Sequence, residues 1–193
     1  MSEPLSFHDG LPAPGTVLST QDYLRTPETN QVHELWRGVL RVAESPTSWH
    51  QDLAFEIAVA LRAHAQLHAL GKVWVAPLDV ILDHDRALIL QPDVLFVVQD
   101  RLGIVRDKVH GAPDLVVEVL SPFPRIGSVV ERVDCFAAHG VRECWLVHQP
   151  ARSIEVLTFE GGHTTHRATV GASEEVSSRV LPDLKFRLAD VLV

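Results

Sequence analysis

Apolar positions recur along the chain in two periods, and the switches between the periods mark the expected elements. Between 48 and 70 the stripe Leu53, Ile57, Ala60, Leu61 and Leu67 has helical spacing. Ser48 with Gln51 three residues later fits a capping box, and Gly71 reads as the C′ residue closing this helix near Leu70. A second helix is expected from about Ile126 to His139, with Gly140 as its C-cap and a buried face of Ile126, Val129, Val130, Val133, Phe136 and Ala137. Ser19 or Thr20 can cap a short helix over 21–24. Strands are expected over 34–43 (a hairpin bent at Gly38), 72–82, 88–98, 114–120, 143–148 and 153–159. The segment 83–87 turns between two of them, and a hairpin returns around Gly161 and Gly162. Residues 100–112 read as a charged loop, and the tail LPDLKFRLADVLV ends in a short helix.

This order predicts an α/β fold, a central mixed β-sheet flanked by helices. The run 114–120 is continuously apolar rather than alternating, which implies a strand covered on both faces. Its unit with the following helix and strand, 114–148, is expected to be a right-handed parallel crossover. Residues 1–17 are rich in Pro and Gly and read as a flexible N-terminal arm, with 18–193 as one domain.

Composition narrows this only modestly. A chain of 193 residues, 46% hydrophobic and 22% charged, can bury a full core without disulfides. The two cysteines, Cys135 and Cys144, lie within expected regular structure and read as free thiols of a reducing compartment, the cytoplasm. No run of 18 uncharged apolar residues occurs, so no membrane span is expected. A net charge of −8 argues against a generic nucleic-acid coat, which needs clustered Lys and Arg. A nuclease centre stays compatible with it, because a metal site needs carboxylates.

One carboxylate is out of place. Glu118 interrupts the apolar run Leu115-Val116-Val117 and Val119-Leu120. Ionised in a strand buried on both faces, it costs several kcal/mol unless a cation offsets it. The alternative is a Glu on a solvent face or paired with an arginine. Asp93, after Pro92 and before Val94-Leu95-Phe96-Val97-Val98, is its natural partner. Alone, a Pro-Asp pair before a strand is usually a turn. Two carboxylates on neighbouring strands form an oxygen site suited to Mg²⁺ or Mn²⁺. Asp114 lies about 13 Å along the strand from Glu118, too far to share an ion, and reads as a strand-opening or outer-sphere group.

These residues carry a resemblance. Pro92-Asp93 before an apolar strand, then PDLVVEVLSP, a helix and GVRECWLV, resemble the Uma-type "putative restriction endonuclease" family of the PD-(D/E)XK nuclease superfamily. TQDYLRTPETNQVHELWRGVLRV, with Pro46 and His50-Gln51 after it, and the ending LPDLKFRLADVL extend the likeness over roughly 18–193. The resemblance implies a divalent metal held by Asp93, Glu118 and the Val119 carbonyl. It implies Glu34 as an accessory acid and His50 as the histidine opening the long helix. The superfamily lysine would sit two residues after the Glu, where this chain has Leu120. In this family it is displaced to the following helix, four residues before a Tyr, and here Arg132 and Phe136 stand at those positions. Further departures are Arg37 and Val39 in place of acids, Ser128 in place of Asp, and His148 where the pattern has Asp.

The resemblance implies metal-assisted hydrolysis of DNA phosphodiester bonds. Arg132 would stabilise transition-state charge but cannot accept a proton, leaving bulk water or His50 as the base. A catalytically weakened nuclease-fold module binding nucleic acid or protein is the rival, favoured by Arg132 and the −8 charge. A hydrolase of small phosphate esters is a third reading, and a homodimer is open. Other signals are weak. His64 and His68 share a helix face without an HExxH pattern, and His163 and His166 sit in an expected hairpin. Ser121 has no GxSxG elbow, and the cysteines lack CxxC spacing. Core packing is the default for Trp36, Trp49, Trp74 and Trp145.

Overall fold

A computed structural model describes residues 7–8, 11–120 and 127–192. Strands β1 (Phe7–His8) and β2 (Leu11–Pro12) form a short ribbon, and α1 spans Thr20–Tyr23. Ser19 caps α1, its hydroxyl accepting the Asp22 N–H. β3 (His33–Trp36) and β4 (Val39–Val42) form the expected hairpin. Arg37 and Gly38 both take positive φ (50° and 86°), the backbone a two-residue hairpin turn requires. Gly15, Thr16 and Leu18 hydrogen-bond to the β4 side of this hairpin.

The long helix α2 runs Ser48–Leu67. Its cap is Thr47 rather than the expected Ser48, with the Thr47 hydroxyl accepting the His50 N–H at 3.2 Å. It also stops short of Leu70. Ala69 takes the positive φ (51°) expected of Gly71, which instead opens β5 (Gly71–Val75). Glycine is required there because a Cβ would lie 2.1 Å from the Val97 carbonyl oxygen.

The expected strands 72–82 and 88–98 each divide in two. The first gives β5 and β6 (Val80–Asp83), the second β7 (Leu88–Leu90) and β8 (Val94–Val98). Pro77 and Pro92 fall in the two breaks, where their missing N–H would otherwise leave a gap in a ladder. The 83–87 turn is present, with Asp83 Oδ1 accepting the Asp85 and Arg86 N–H groups. The expected loop 100–112 holds a 3₁₀ turn, Gln99–Ile104, and β9 (Val109–His110).

β10 (Leu115–Val119) leads toward α3 (Val129–Ala138), then β11 (Glu143–His148), β12 (Ser153–Glu160) and β13 (His163–Gly171). Ile126 and Ser121 lie outside the described residues. Val130, expected on the buried face of α3, is 66% exposed, whereas Arg132 is buried. The tail ends in a single 3₁₀ turn, Leu188–Asp190.

Two larger sheets result. A six-stranded mixed sheet has the order β13-β12-β11-β10-β8-β5, with β10 and β11 parallel as expected. A five-stranded sheet, which the sequence did not announce, has the order β4-β3-β7-β6-β9. α2 covers one face of the larger sheet through Leu53, Ile57 and Leu61 against Val94, Phe96, Leu115, Val117 and Trp145. On the opposite face Val133 and Phe136 of α3 meet Val116, Leu146 and the β7 residues Leu88 and Leu90. β10 is therefore covered on both faces, as its unbroken apolar run requires. Glu118 alternates with Val117 and Val119 and so shares the Val116 face, beneath α3. Trp49 departs from the core-packing default and is 60% exposed.

Candidate active site

Five distant segments meet at one end of β10. In the β8–β10 register, Val116 faces Leu95 and Val117 faces Val94, so the next step sets Glu118 opposite Asp93. Directly opposed residues of an antiparallel pair present side chains on the same face. Asp93 ends the ladder with its own side chain: Oδ2 accepts the Val119 N–H at 2.7 Å. The same oxygen lies 3.3 Å from Nε2 of His50, in the first turn of α2.

Arg132 reaches in from α3 and is held between two carboxylates. Its Nη1 donates to Glu34 Oε2 and its Nη2 to Glu118 Oε1, both at 2.6 Å. Glu34, fully buried on β3, also accepts the Gln91 N–H on Oε1 at 2.8 Å. The guanidinium carbon lies 5.6 Å from the centre of the Phe136 ring, one helical turn on. All five sequence-predicted side chains (Glu34, His50, Asp93, Glu118, Arg132) thus form one connected cluster, with the Val119 backbone at its edge.

Asp114 stands apart. Its buried carboxylate accepts from Arg101 Nη1 at 2.7 Å, the Val98 N–H at 3.0 Å and Arg142 Nη1 at 3.3 Å. The geometry is that of a strand-opening ion pair at the far end of β10. Sequence reasoning missed Gln91, whose N–H holds Glu34 while its side-chain amide donates to buried Asp79 at 2.7 Å. Its position just before Pro92-Asp93 was the only signal. His64 is accounted for by a bond between its Nε2 and the Pro182 carbonyl at 2.9 Å.

Electrostatics divide the cluster. Burial pushes the Glu118 carboxyl up to about 7; the Arg132 charge opposes this, while Asp93 and Glu34 add to it. Burial also disfavours the Arg132 cation, but Glu118 and Glu34 outweigh it and hold the guanidinium charged. Burial alone would lower the His50 pKa, yet the hydrogen bond and charge of Asp93 raise it above the ordinary histidine value. Glu118 binds its proton more tightly folded than unfolded. Its contribution to stability is therefore complete below its ordinary value of 4.5 and is lost as pH rises through about 7. Urea midpoints of the wild type will fall between pH 5 and pH 8, and Glu118→Gln will flatten that dependence. A Glu118→Gln profile as steep as the wild type would refute this assignment.

The fit to a divalent ion is partial. Among the described residues, no three His, Cys, Asp or Glu side chains gather as a metal cage. Two carboxylates do converge. Among the described residues no hydrogen bond reaches Asp93 Oδ1 or Glu118 Oε2. Mg²⁺ suits such a sparse set, because it retains several waters and uses one or two carboxylates. The ion-pair alternative for Glu118 is also realised, through Arg132.

The family described as "Uma2: Putative restriction endonuclease" matches residues 20–189. A solved structure of a putative nuclease belonging to DUF820, from Anabaena variabilis ATCC 29413, superposes with a TM-score of 0.73 at 16% identity. The alignment covers 91% of this chain and 97% of that one. A comparison with curated proteins returns no match. Among the described residues no helix is long and apolar enough to cross a membrane.

Proposed function

This chain belongs to the putative restriction endonuclease family Uma2, and from that premise we propose that it is a Mg²⁺- or Mn²⁺-dependent endonuclease hydrolysing DNA phosphodiester bonds. The observation that carries the reading is Asp93 opposite Glu118 at the edge of β8 and β10, with His50 and Arg132 attached to the same pair. Asp93 and Glu118 would hold the ion, with the Val119 carbonyl as a third oxygen. A bound divalent ion polarises the phosphoryl oxygen and lowers the pKa of water. Glu34 anchors Arg132, which keeps a positive charge facing the cluster for the charge that grows on the phosphate. His50, oriented by Asp93 and raised in basicity, is the side chain suited to take up a proton. In this reading the catalytic domain is 18–193 and the enzyme works in the cytoplasm.

A second reading keeps the fold and drops the chemistry: a module that binds nucleic acid or protein. It is favoured by Arg132 occupying Glu118 Oε1, and by arginine's inability to act as a base. Purified protein with Mg²⁺ or Mn²⁺ is expected to nick supercoiled plasmid and to stop when EDTA removes the ion. Plasmid left intact across metals and pH, by protein that still binds DNA, would favour the second reading.

A further inference from the structure

Resting on the nuclease reading, we infer that Trp49 is a stacking platform for an unpaired nucleobase of the substrate beside the scissile phosphate. Of the four tryptophans, Trp145 is fully buried, and Trp36 and Trp74 lie against core clusters. Trp49 is 60% exposed. Leaving an indole in water forgoes one of the largest burial gains a side chain offers, a gain that a stacked ring would recover.

Its position says which occupant. Trp49 directly precedes His50, whose ring contacts Asp93 at 3.3 Å. The indole therefore leaves the backbone one residue from a side chain of the carboxylate cluster, on the first turn of a 20-residue helix fixed by the Thr47 cap. Glu44, Ser45, Pro46, Thr47 and Ser48, which lead into this turn, are all exposed. A rigid, accessible aromatic at a phosphodiester site suits a base, because every base has a π-face to stack. Bases inside a duplex already have both faces covered by neighbours. The platform therefore selects single strands, flaps or frayed ends over blunt duplex. Stacking also suits a protein of charge −8, because it gains affinity without Lys and Arg.

The test compares wild type, Trp49→Ala and Trp49→Phe, all surface changes, for binding of fluorescein-labelled oligothymidine and of a blunt duplex, with and without Mg²⁺. Anisotropy gives affinity and intrinsic fluorescence gives stacking. Trp49→Ala is expected to weaken oligothymidine binding by about 10-fold or more. Trp49→Phe should retain most of the affinity, and duplex binding should be unchanged in both variants. Quenching of tryptophan fluorescence by the oligonucleotide should be present in wild type and absent from both variants. The inference is overturned if Trp49→Ala binds like wild type, if Trp49→Phe is still quenched, or if Trp49→Ala splits a dimer while DNA affinity is kept. Wild type that binds no nucleic acid at all would instead overturn the nuclease reading beneath it, a failure visible before any variant is made.

Discussion

Replacing Arg132 with alanine will destabilise the protein by about 3–5 kcal/mol, the cost of leaving buried charge without its partner. Two carboxylates lose their cation at once. Glu34 is fully buried, and Glu118 is 14% exposed at its side chain. Water therefore screens neither well, unlike a surface ion pair. Phe136 loses the guanidinium beside its ring as well. The measurement is the urea midpoint at pH 8, where more of Glu118 is ionised. Adding Glu34→Gln and Glu118→Gln to Arg132→Ala should recover much of the loss, because neutral amides need no counter-charge. A drop below about 1 kcal/mol would place Arg132 among ordinary surface pairs and break this account. Arg132→Lys separates stability from chemistry. An ammonium is a single nitrogen and does not match the two guanidinium nitrogens that reach Glu34 and Glu118 separately, so stability falls, but it restores a group able to lose a proton, and hydrolysis should rise.

Glu118→Ala is expected to lower DNA hydrolysis by at least about 100-fold, since groups one layer further from a metal already cost 10–100-fold. The fold should survive. Arg132 keeps Glu34, and the truncated side chain removes a carboxylate that burial already disfavours. Plasmid nicking rates with Mn²⁺, measured beside circular dichroism, check both halves of the statement. Glu118→Gln serves as the conservative control: it preserves the Arg132 contact while weakening any cation site. Alanine and wild type cutting equally well would remove Glu118 from the chemistry and leave it a structural acid.

The sequence was most informative where structure is local. Caps, hairpin turns and helix periodicity depend on residues within a few positions of one another, so β3–β4, α2, α3 and the β12–β13 hairpin appear close to their expected places. The errors at the ends of α2 are of the same local kind. Thr47 and Ser48 are both competent caps, and Ala69 tolerated a backbone that glycine usually takes. The acids also stood out locally, because Glu118 breaks an apolar run that has only one explanation for its continuity, burial on both faces.

Tertiary structure decided what depends on contacts across the chain. Pro77 and Pro92 mark breaks in the two apolar runs, but nothing local says that the pieces on either side serve different sheets, and so β5–β6 and β7–β8 were not separated in advance. The five-stranded sheet, and with it the approach of Glu34 to the cluster, follows from that division. The Arg132–Glu34 bond joins residues 98 positions apart, and no periodicity records such a pairing. Chemical type, alternation and end signals are properties of neighbouring residues, and the sequence alone determined those. Whether an arginine neutralises two carboxylates or leaves one for a metal is set by how α3, β3 and β10 pack together, and only the folded chain fixes that.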